Sequence, residues 1–499
     1  MADNLTLILF FPLLGGLILT LLPAAKPILL KFWANLVLGL NALWTISLLG
    51  SFDSGKDLQF VQRLPWIPSI GAEFFLGVDG YSILLVAMTA GVGFLASLAS
   101  WNAIESRLKE FYATLLILQT CVTGVFLSMD AMLFFVFFEA SLIPMFFLIS
   151  IWGGEDRRRA AMKFLIYTIS GSMLLLLGLI LLHFEHTRQT GFATFSIPAL
   201  WATQPAGDLA HWIFWLMFLG FAVKVPMAPF HTWLPDAHTE APTAGSVYLA
   251  SVMLKMGTYG FLRLVLPGVP EAVKSSNVLW WMSILALVAI VYGALVCLKQ
   301  RDWKRLVAYS SVSHMGFCML GIFAMNPAGI SGSMLQQINH GISTGLLFLL
   351  VGLMYERRHT REISEYGGLF GPMPAFSLVF LLAVVSSMGL PPLNGFIGEV
   401  RILSGAFEMS VYWALWGGLG VVLTVAYLLW CYQRVSLGVT SEKNLRLPDL
   451  SLREWAVVLP LLLAAIGIGI HPQPVFQMLD RPVKHIMEKV RPGYYAQSN

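Results

Sequence analysis

Charge is scarce in this sequence. Asp, Glu, Lys and Arg supply 12% of its 499 residues, about half the roughly 25% of a soluble globular domain. That shortage, beside 57% hydrophobic residues, excludes a water-soluble protein. Cysteine is scarcer still: Cys121, Cys297, Cys318 and Cys431 stand singly in apolar segments, with no CxxC and no Cys/His cluster. An iron–sulfur or zinc site built from this chain alone has no support, and the four read as small buried hydrophobes. Also missing are a G-x-x-x-x-G-K-[ST] phosphate loop and a G-x-G-x-x-G turn, so nothing points to nucleotide binding by this chain. The opening "MADNLTLILFFPLLGG" lacks a basic n-region and a small-residue cleavage site, and reads as a retained first span.

Apolar runs fill the space that charge leaves. Fourteen stretches, approximately 5 to 22, 28 to 50, 80 to 101, 111 to 129, 131 to 151, 163 to 182, 211 to 230, 243 to 265, 278 to 298, 304 to 324, 331 to 354, 375 to 407, 411 to 436 and 455 to 470, match what crossing a hydrocarbon layer of roughly 30 Å requires. The expected fold is an all-α polytopic membrane protein of about fourteen transmembrane helices. Connections after odd-numbered spans hold 19 of the 31 basic residues, those after even-numbered spans hold 6, and the C-terminal tail holds 4. The positive-inside rule then puts the odd connections on the cytoplasmic or stroma-like side and both termini on the other, although the tail's own cations pull weakly the opposite way. Lys224 and Lys255 are the two cations left inside spans. Residues 51 to 79 and 184 to 210 are long enough for small caps outside the membrane.

The seventh span is interrupted at "VKVPMAPF" and the twelfth at "MGLPPLNGF". Proline removes a donor and turns the residue before it away from helix, and freed backbone at membrane depth must face protein or water. Matching breaks in two halves point to a repeat-built transporter. An offset of five spans makes the repeats inverted. The chain then divides into residues 1–110 (helices 1–3), 111–270 (helices 4–8, first inverted repeat), 271–436 (helices 9–13, second inverted repeat) and 437–499 (last helix and tail), with helices 7 and 12 broken.

Ionisable residues recur near mid-membrane. Glu139, Lys224 and Lys255 lie about ten to thirteen residues into their spans, near the bilayer centre at roughly 1.5 Å per residue. Such charges cost roughly 2.5 to 3.5 kcal/mol each on the insertion scale. His314, His340 and Glu399 complete a row across spans 5, 7, 8, 10, 11 and 12, as a lateral proton relay requires. Plainer readings exist for each. Glu139 and Lys224 make a static ion pair, Lys255 snorkels, the histidines are satisfied core residues, and Glu399 sits at an interface beside Arg401. Asp79, Asp130 and Lys163, at span ends, read as structural.

"FAVKVPMAPFHTWLPDAHTEAPTAGSVYLASVMLKMGTYGFLRL", "LGVDGYSILLV", "WGGEDRRRAAMKFLIYT", "RLVAYSSVSHMGF" and "LPPLNGFIGE" resemble subunit 4 of complex I type quinone oxidoreductases, the NuoM or NdhD family, over most of residues 75 to 405. Mrp cation/proton antiporter subunits and membrane subunits of energy-converting hydrogenases share that ancestry. The resemblance implies that Glu139 pairs with Lys224, Lys255 occupies the channel centre, Glu399 ends the row, and His314 and His340 lie between. It implies no cofactor on this chain, with quinone, iron–sulfur clusters and electron donor carried by partner subunits. Its expected partners are sister antiporter-like subunits and lipid, not nucleic acid. Asn339 departs from the family's common I-S-H-G. "REWAVVLPLLLAAIGIGIHP" and "KFLIYT" are similar to cyanobacterial and plastid members. That likeness implies ferredoxin, plastoquinone and a thylakoid membrane, as against NADH or NADPH and a bacterial inner membrane.

Overall fold

The computed structural model describes residues 4–496. Hydrocarbon offers no hydrogen bonds, so a spanning segment must satisfy its own backbone, and the apolar runs form helices. In chain order these are α1 (Leu5–Leu21), α2 (Pro27–Gly50), α3 (Gly80–Ala103), α4 (Leu108–Leu127), α5 (Ala131–Trp152), α6 (Arg157–Thr190), α7 (Gly207–Lys224), α8 (Trp233–Glu240), α9 (Thr243–Gly268), α10 (Ser276–Cys297), α11 (Trp303–Phe323), α12 (Pro327–Arg358), α13 (Pro374–Ser387), α14 (Asn394–Met409), α15 (Val411–Ser436), α16 (Leu452–Ile470) and α17 (Gln473–Val490). Eleven are long and apolar enough to cross a membrane. The first expected span is α1, at 17 residues, and the seventh and twelfth are the broken pairs α7–α8 and α13–α14. Every one of the fourteen expected spans therefore has its helix or helix pair.

Side-chain caps fix several starts. Asp79 accepts from the N–H groups of Tyr81 and Ser82 at the head of α3, and Asp130 from those of Met132 and Leu133 at the head of α5. Asp79 also ion-pairs with Arg263 of α9 at 2.7 Å. Burial alone would push the Asp79 carboxyl up, but Arg263 and the Ser82 hydrogen bonds hold it below its ordinary value. Arg263 counts as a loop-end cation in the sequence, yet it is 7% exposed.

The seventh segment is irregular over residues 225–232 and resumes as α8, a half-helix where the sequence reads as connection. This break is buried from Val225 to Ala228, as expected of freed backbone. The second break differs from expectation, because Leu390, Pro391 and Pro392 are exposed at the protein surface. Two adjacent prolines carry no N–H to satisfy, and the N–H groups of Gly389, Leu390 and Leu393 find carbonyls of Ser386, Val385 and Leu390. The exposed turn thus leaves few orphan donors.

Helices α9, α11 and α12 form the centre, with almost every residue of α11 and α12 buried. In α9 two turns, Leu249–Met253 and Phe261–Val265, widen to i→i+5 spacing and flank Lys255; such widenings gather at functional sites. Outside the helices, β1 (Gln59–Ile67) and β2 (Ala72–Val78) pair antiparallel, and Phe195 donates to Gly71, so the two expected caps meet. Helix α17, in what reads as tail, buries Leu479, Pro482, Val483, Ile486, Met487 and Val490. The packing of α17 against α3 and α12 puts it at the same end as the hairpin.

Two substitutions test this architecture. A methyl at Gly395 would strike the Ser386 carbonyl across the second break. Gly395→Ala is expected to cost about 1–3 kcal/mol by overpacking, seen as a lower melting temperature of the detergent-solubilised complex. Asp79→Ala leaves Arg263 buried and unpaired, at a cost of about 3–5 kcal/mol. Its assembled complex on native gels should fall well below that of Glu73→Ala, which removes a partly exposed pair with Arg63.

Candidate functional site

Four of the six expected residues come together in the buried centre. Lys255, with no exposed surface, projects from the turn of α9 between the two widenings. Its Nζ donates to the Ala250 carbonyl at 2.5 Å and lies 2.6 Å from His340 Nδ1 of α12. With Lys255 as donor, Nδ1 is the acceptor and the other ring nitrogen carries the proton. The His340 and His314 rings meet edge to face at 5.7 Å between centroids. His314 Nδ1 of α11 is 3.5 Å from Glu399 Oε1 of α14, and Gln336 Nε2 donates to the same oxygen at 3.1 Å. Four helices thus contribute one proton-exchanging group each to a row running from α9 to the second break.

Asn339 has a structural task in this row. Its Nδ2 donates to Gln336 Oε1 at 3.2 Å and to the Asn394 carbonyl at 2.8 Å, and its Oδ1 accepts from Asn394 Nδ2 at 3.2 Å. Asn339 therefore ties α12 to the start of α14 and orients Gln336 toward Glu399. The departure from I-S-H-G reinforces the break and leaves the contacts from Lys255 to Glu399 in place.

The other two residues stand apart. Lys224, 2% exposed at the end of α7, has no hydrogen-bond partner for its Nζ. Its ammonium lies 4.9 Å from the ring centroid of Phe138 and 5.9 Å from that of Phe164, a cation–π arrangement. Glu139 of α5 has Ser172 and Lys224 as polar neighbours, one of its oxygens is unpartnered, and the two residues form no ion pair within 4.0 Å. In place of the Glu139 pair that the family resemblance implies, Lys224 rests over two aromatic rings. Towards Lys255, the helices close on apolar contact, with the Gly257 position against Val225. The row is in two pieces in this conformation.

Sequence reasoning missed three buried polar residues around it. His238 of α8 is fully buried, both its ring nitrogens lack partners, and it stacks on Phe348 at 4.6 Å with Lys304 and Lys255 as its charged neighbours. Lys304 opens α11, is 8% exposed, and donates to the Ala241 carbonyl just after α8. Arg263 is the third. A signal existed for His238: "HTWLPDAH" sets a second histidine close behind the broken segment. Lys304 hid in the basic run "LKQRDWKR", where only depth distinguishes it.

The C-terminal ends of α3, α8 and α12 enclose a cavity of about 760 Å³ whose wall includes Glu105, Glu240, Lys304, Glu356, His359 and Arg361. Beside it, Asp236 of α8 pairs with Lys163 of α6 at 2.7 Å and with Arg305 of α11 at 3.5 Å. These half-exposed bonds hold the half-helix in place, which makes Lys163 a clamp for the broken segment.

Comparison with known proteins shows the family and the fold. The family described as "NADH:quinone oxidoreductase/Mrp antiporter, TM" matches residues 128–425, more than half of the chain. NADH-quinone oxidoreductase subunit M of Rhodobacter capsulatus is 41% identical over 502 residues, covering 98% of this chain and 97% of that protein. NADH-ubiquinone oxidoreductase chain 4 of Marchantia polymorpha is 38% identical over 491 residues, covering 97% of each. Among solved structures, a chain of respiratory complex I from Thermus thermophilus with bound NADH superposes with a TM-score of 0.89 at 30% identity, covering 98% of this chain and 100% of that one. A chain of the Mrp complex from Dietzia sp. DQ12-45-1b shares the fold, with a TM-score of 0.86 at 19% identity over 100% and 99%. With its broken helices, buried row and matches over nearly its whole length, the chain belongs to the membrane-subunit family shared by NADH:quinone oxidoreductases and Mrp antiporters.

Proposed function

We propose that this chain is an antiporter-like subunit of a complex I type quinone oxidoreductase and moves protons through Glu139, Lys224, Lys255, His340, His314 and Glu399. The observation that carries this reading is the succession of contacts from Lys255 through both histidines to Glu399 in the buried centre of the protein. Whole-length likeness to subunit M and chain 4 relatives supports it. The redox chemistry belongs to partner subunits, which hold the quinone, the iron–sulfur clusters and the site for the electron donor. Sister antiporter-like subunits and lipid surround the chain. Residues 111–270 and 271–436 act as two inverted repeats, the first holding Glu139, Lys224 and Lys255 and the second His314, His340 and Glu399. Ferredoxin, plastoquinone and a thylakoid membrane rest on the family resemblance alone.

The gap between Glu139 and Lys224 supplies the switch. Bringing the two charges to about 4 Å at an effective dielectric near 20 is worth roughly 4 kcal/mol. Moving a proton against 100 mV costs roughly 2.3 kcal/mol, so closing and opening this pair is large enough to drive one charge. When the pair closes, Lys224 leaves the Phe138 face and its field on Lys255 changes. Lys255 then passes a proton from Nζ to His340 Nδ1, the opposite ring nitrogen hands one toward His314, and Glu399 receives it.

An Mrp-type cation/proton antiporter is the second reading, favoured by the shared family and by the fold likeness to the Mrp complex. It expects sodium-dependent exchange by an assembly without quinone-site subunits. The test is proton yield per electron pair in inverted membrane vesicles. Glu139→Gln, Lys224→Met and Lys255→Met should each abolish or sharply reduce it while the complex assembles on native gels. Wild-type yield in all three would sink the proposal.

A further inference from the structure

The lateral row leaves one question of direction: where a proton at the Lys255–His340 pair meets the side opposite the basic connections. The hairpin, the head of α3 and α17 mark that outer end. Beneath α17 lies a second cavity of about 200 Å³, with Asp79, Tyr81, Arg263, Met334 and His485 among its lining residues. At a liquid share of roughly 30 Å³ per molecule this is room for several waters.

Three successive rungs lie between that cavity and the row. Lys255 and His340 form the innermost. Three residues later in α9 and three earlier in α12, one turn nearer the outer end, stand Thr258 and Gln337, the Thr258 hydroxyl 3.1 Å from the Lys255 backbone carbonyl. Thr258 Oγ1 donates to Gln337 Oε1, and the Tyr81 hydroxyl donates to the same oxygen at 2.5 Å. Gln337 Nε2 donates to Ser333 Oγ at 3.3 Å. On the third rung, Arg263 and Met334 already line the cavity. From Lys255 to Arg263 is eight residues, about 12 Å along α9 at 1.5 Å per residue.

The middle rung is otherwise costly to explain. Tyr81, Thr258 and Gln337 are 2% exposed or less, and an apolar trio would pack there without any hydrogen bonds to satisfy. Gln337 receives two hydroxyl donors on one oxygen, and Tyr81 belongs at once to this cluster and to the cavity wall. The Asp79–Arg263 pair stands beside Tyr81, with Arg263 Nε also donating to the Tyr259 hydroxyl at 3.1 Å.

We propose that Thr258, Gln337 and Tyr81 form an outward proton branch, leading from the Lys255–His340 pair to the cavity beneath α17, in which Gln337 turns its oxygen away so that each hydroxyl can accept a proton on one side and give one up on the other, with the Asp79–Arg263 pair at its mouth. The branch leaves the row midway, ahead of Glu399. It rests on the proton-translocating reading above, and the test separates the two.

Proton yield per electron pair is measured in inverted vesicles for Tyr81→Phe, Gln337→Leu, Gln337→Glu and Lys255→Met, each confirmed as assembled on native gels. Tyr81→Phe conserves volume and removes a single hydroxyl, so it tests the branch even where Gln337→Leu fails to assemble. The branch requires Tyr81→Phe and Gln337→Leu to lose yield to the same extent as Lys255→Met. It also requires Gln337→Glu, which keeps an acceptor for both hydroxyls and can carry a proton, to recover at least half of the loss. Wild-type yield in Tyr81→Phe alongside a loss in Lys255→Met overturns the branch and leaves the lateral row standing. Equal loss in Gln337→Leu and Gln337→Glu also overturns it, since a packing role has no use for the carboxylate's proton. Wild-type yield in Lys255→Met removes both the branch and the reading beneath it.

Discussion

Hydrocarbon accepts neither bare backbone nor bare charge, and every unusual feature of this molecule answers to that constraint. Regular helix satisfies the backbone cheaply, so a break needs a local reason and a local remedy. The first break hides Val225 to Ala228 inside the protein. The second exposes Pro391 and Pro392, which have no N–H to leave unsatisfied. Proline reaches the surface at both breaks, at Pro229 in the first and at Pro391 and Pro392 in the second.

Charge follows the same rule at higher stakes. Lys255 is accommodated by a carbonyl and a histidine, Arg263 by Asp79 and Tyr259, and Lys304 by a carbonyl next to a polar cavity. Lys224 has aromatic faces and no hydrogen-bond partner, with Glu139 nearby but unpaired. Of the deep cations it is the least satisfied in this conformation, and that makes it the one with most to gain from movement. Its position at the last residue of α7, against a break clamped by Asp236, Lys163 and Arg305, joins the unsatisfied charge to the segment of backbone best able to shift.

The widened turns on either side of Lys255 belong to the same picture. They loosen the register of α9 without a proline and leave the lysine on a short, regular turn facing α12. Gly257, on that turn, lets Val225 approach closely. Apolar packing there separates Lys224 from Lys255, so any influence between them is electrostatic or requires the break to move.

Much was legible without coordinates. Span number, both breaks, and the depth of Glu139, Lys224, Lys255, His314, His340 and Glu399 all follow from run length and rise per residue, because bilayer thickness converts sequence position into depth. Rotation about a helix axis and distance between helices have no such ruler. Only the tertiary structure could show that His340 touches Lys255 at 2.6 Å while Lys224 rests over the Phe138 ring with no hydrogen-bond partner. The same holds for Arg263, which lies buried at the end of an apolar run, and for His238, on a half-helix with the composition of a loop. Composition and periodicity report how far a residue lies from water along its own helix. Which side chains it meets depends on packing among helices far apart in sequence, and no local pattern encodes that.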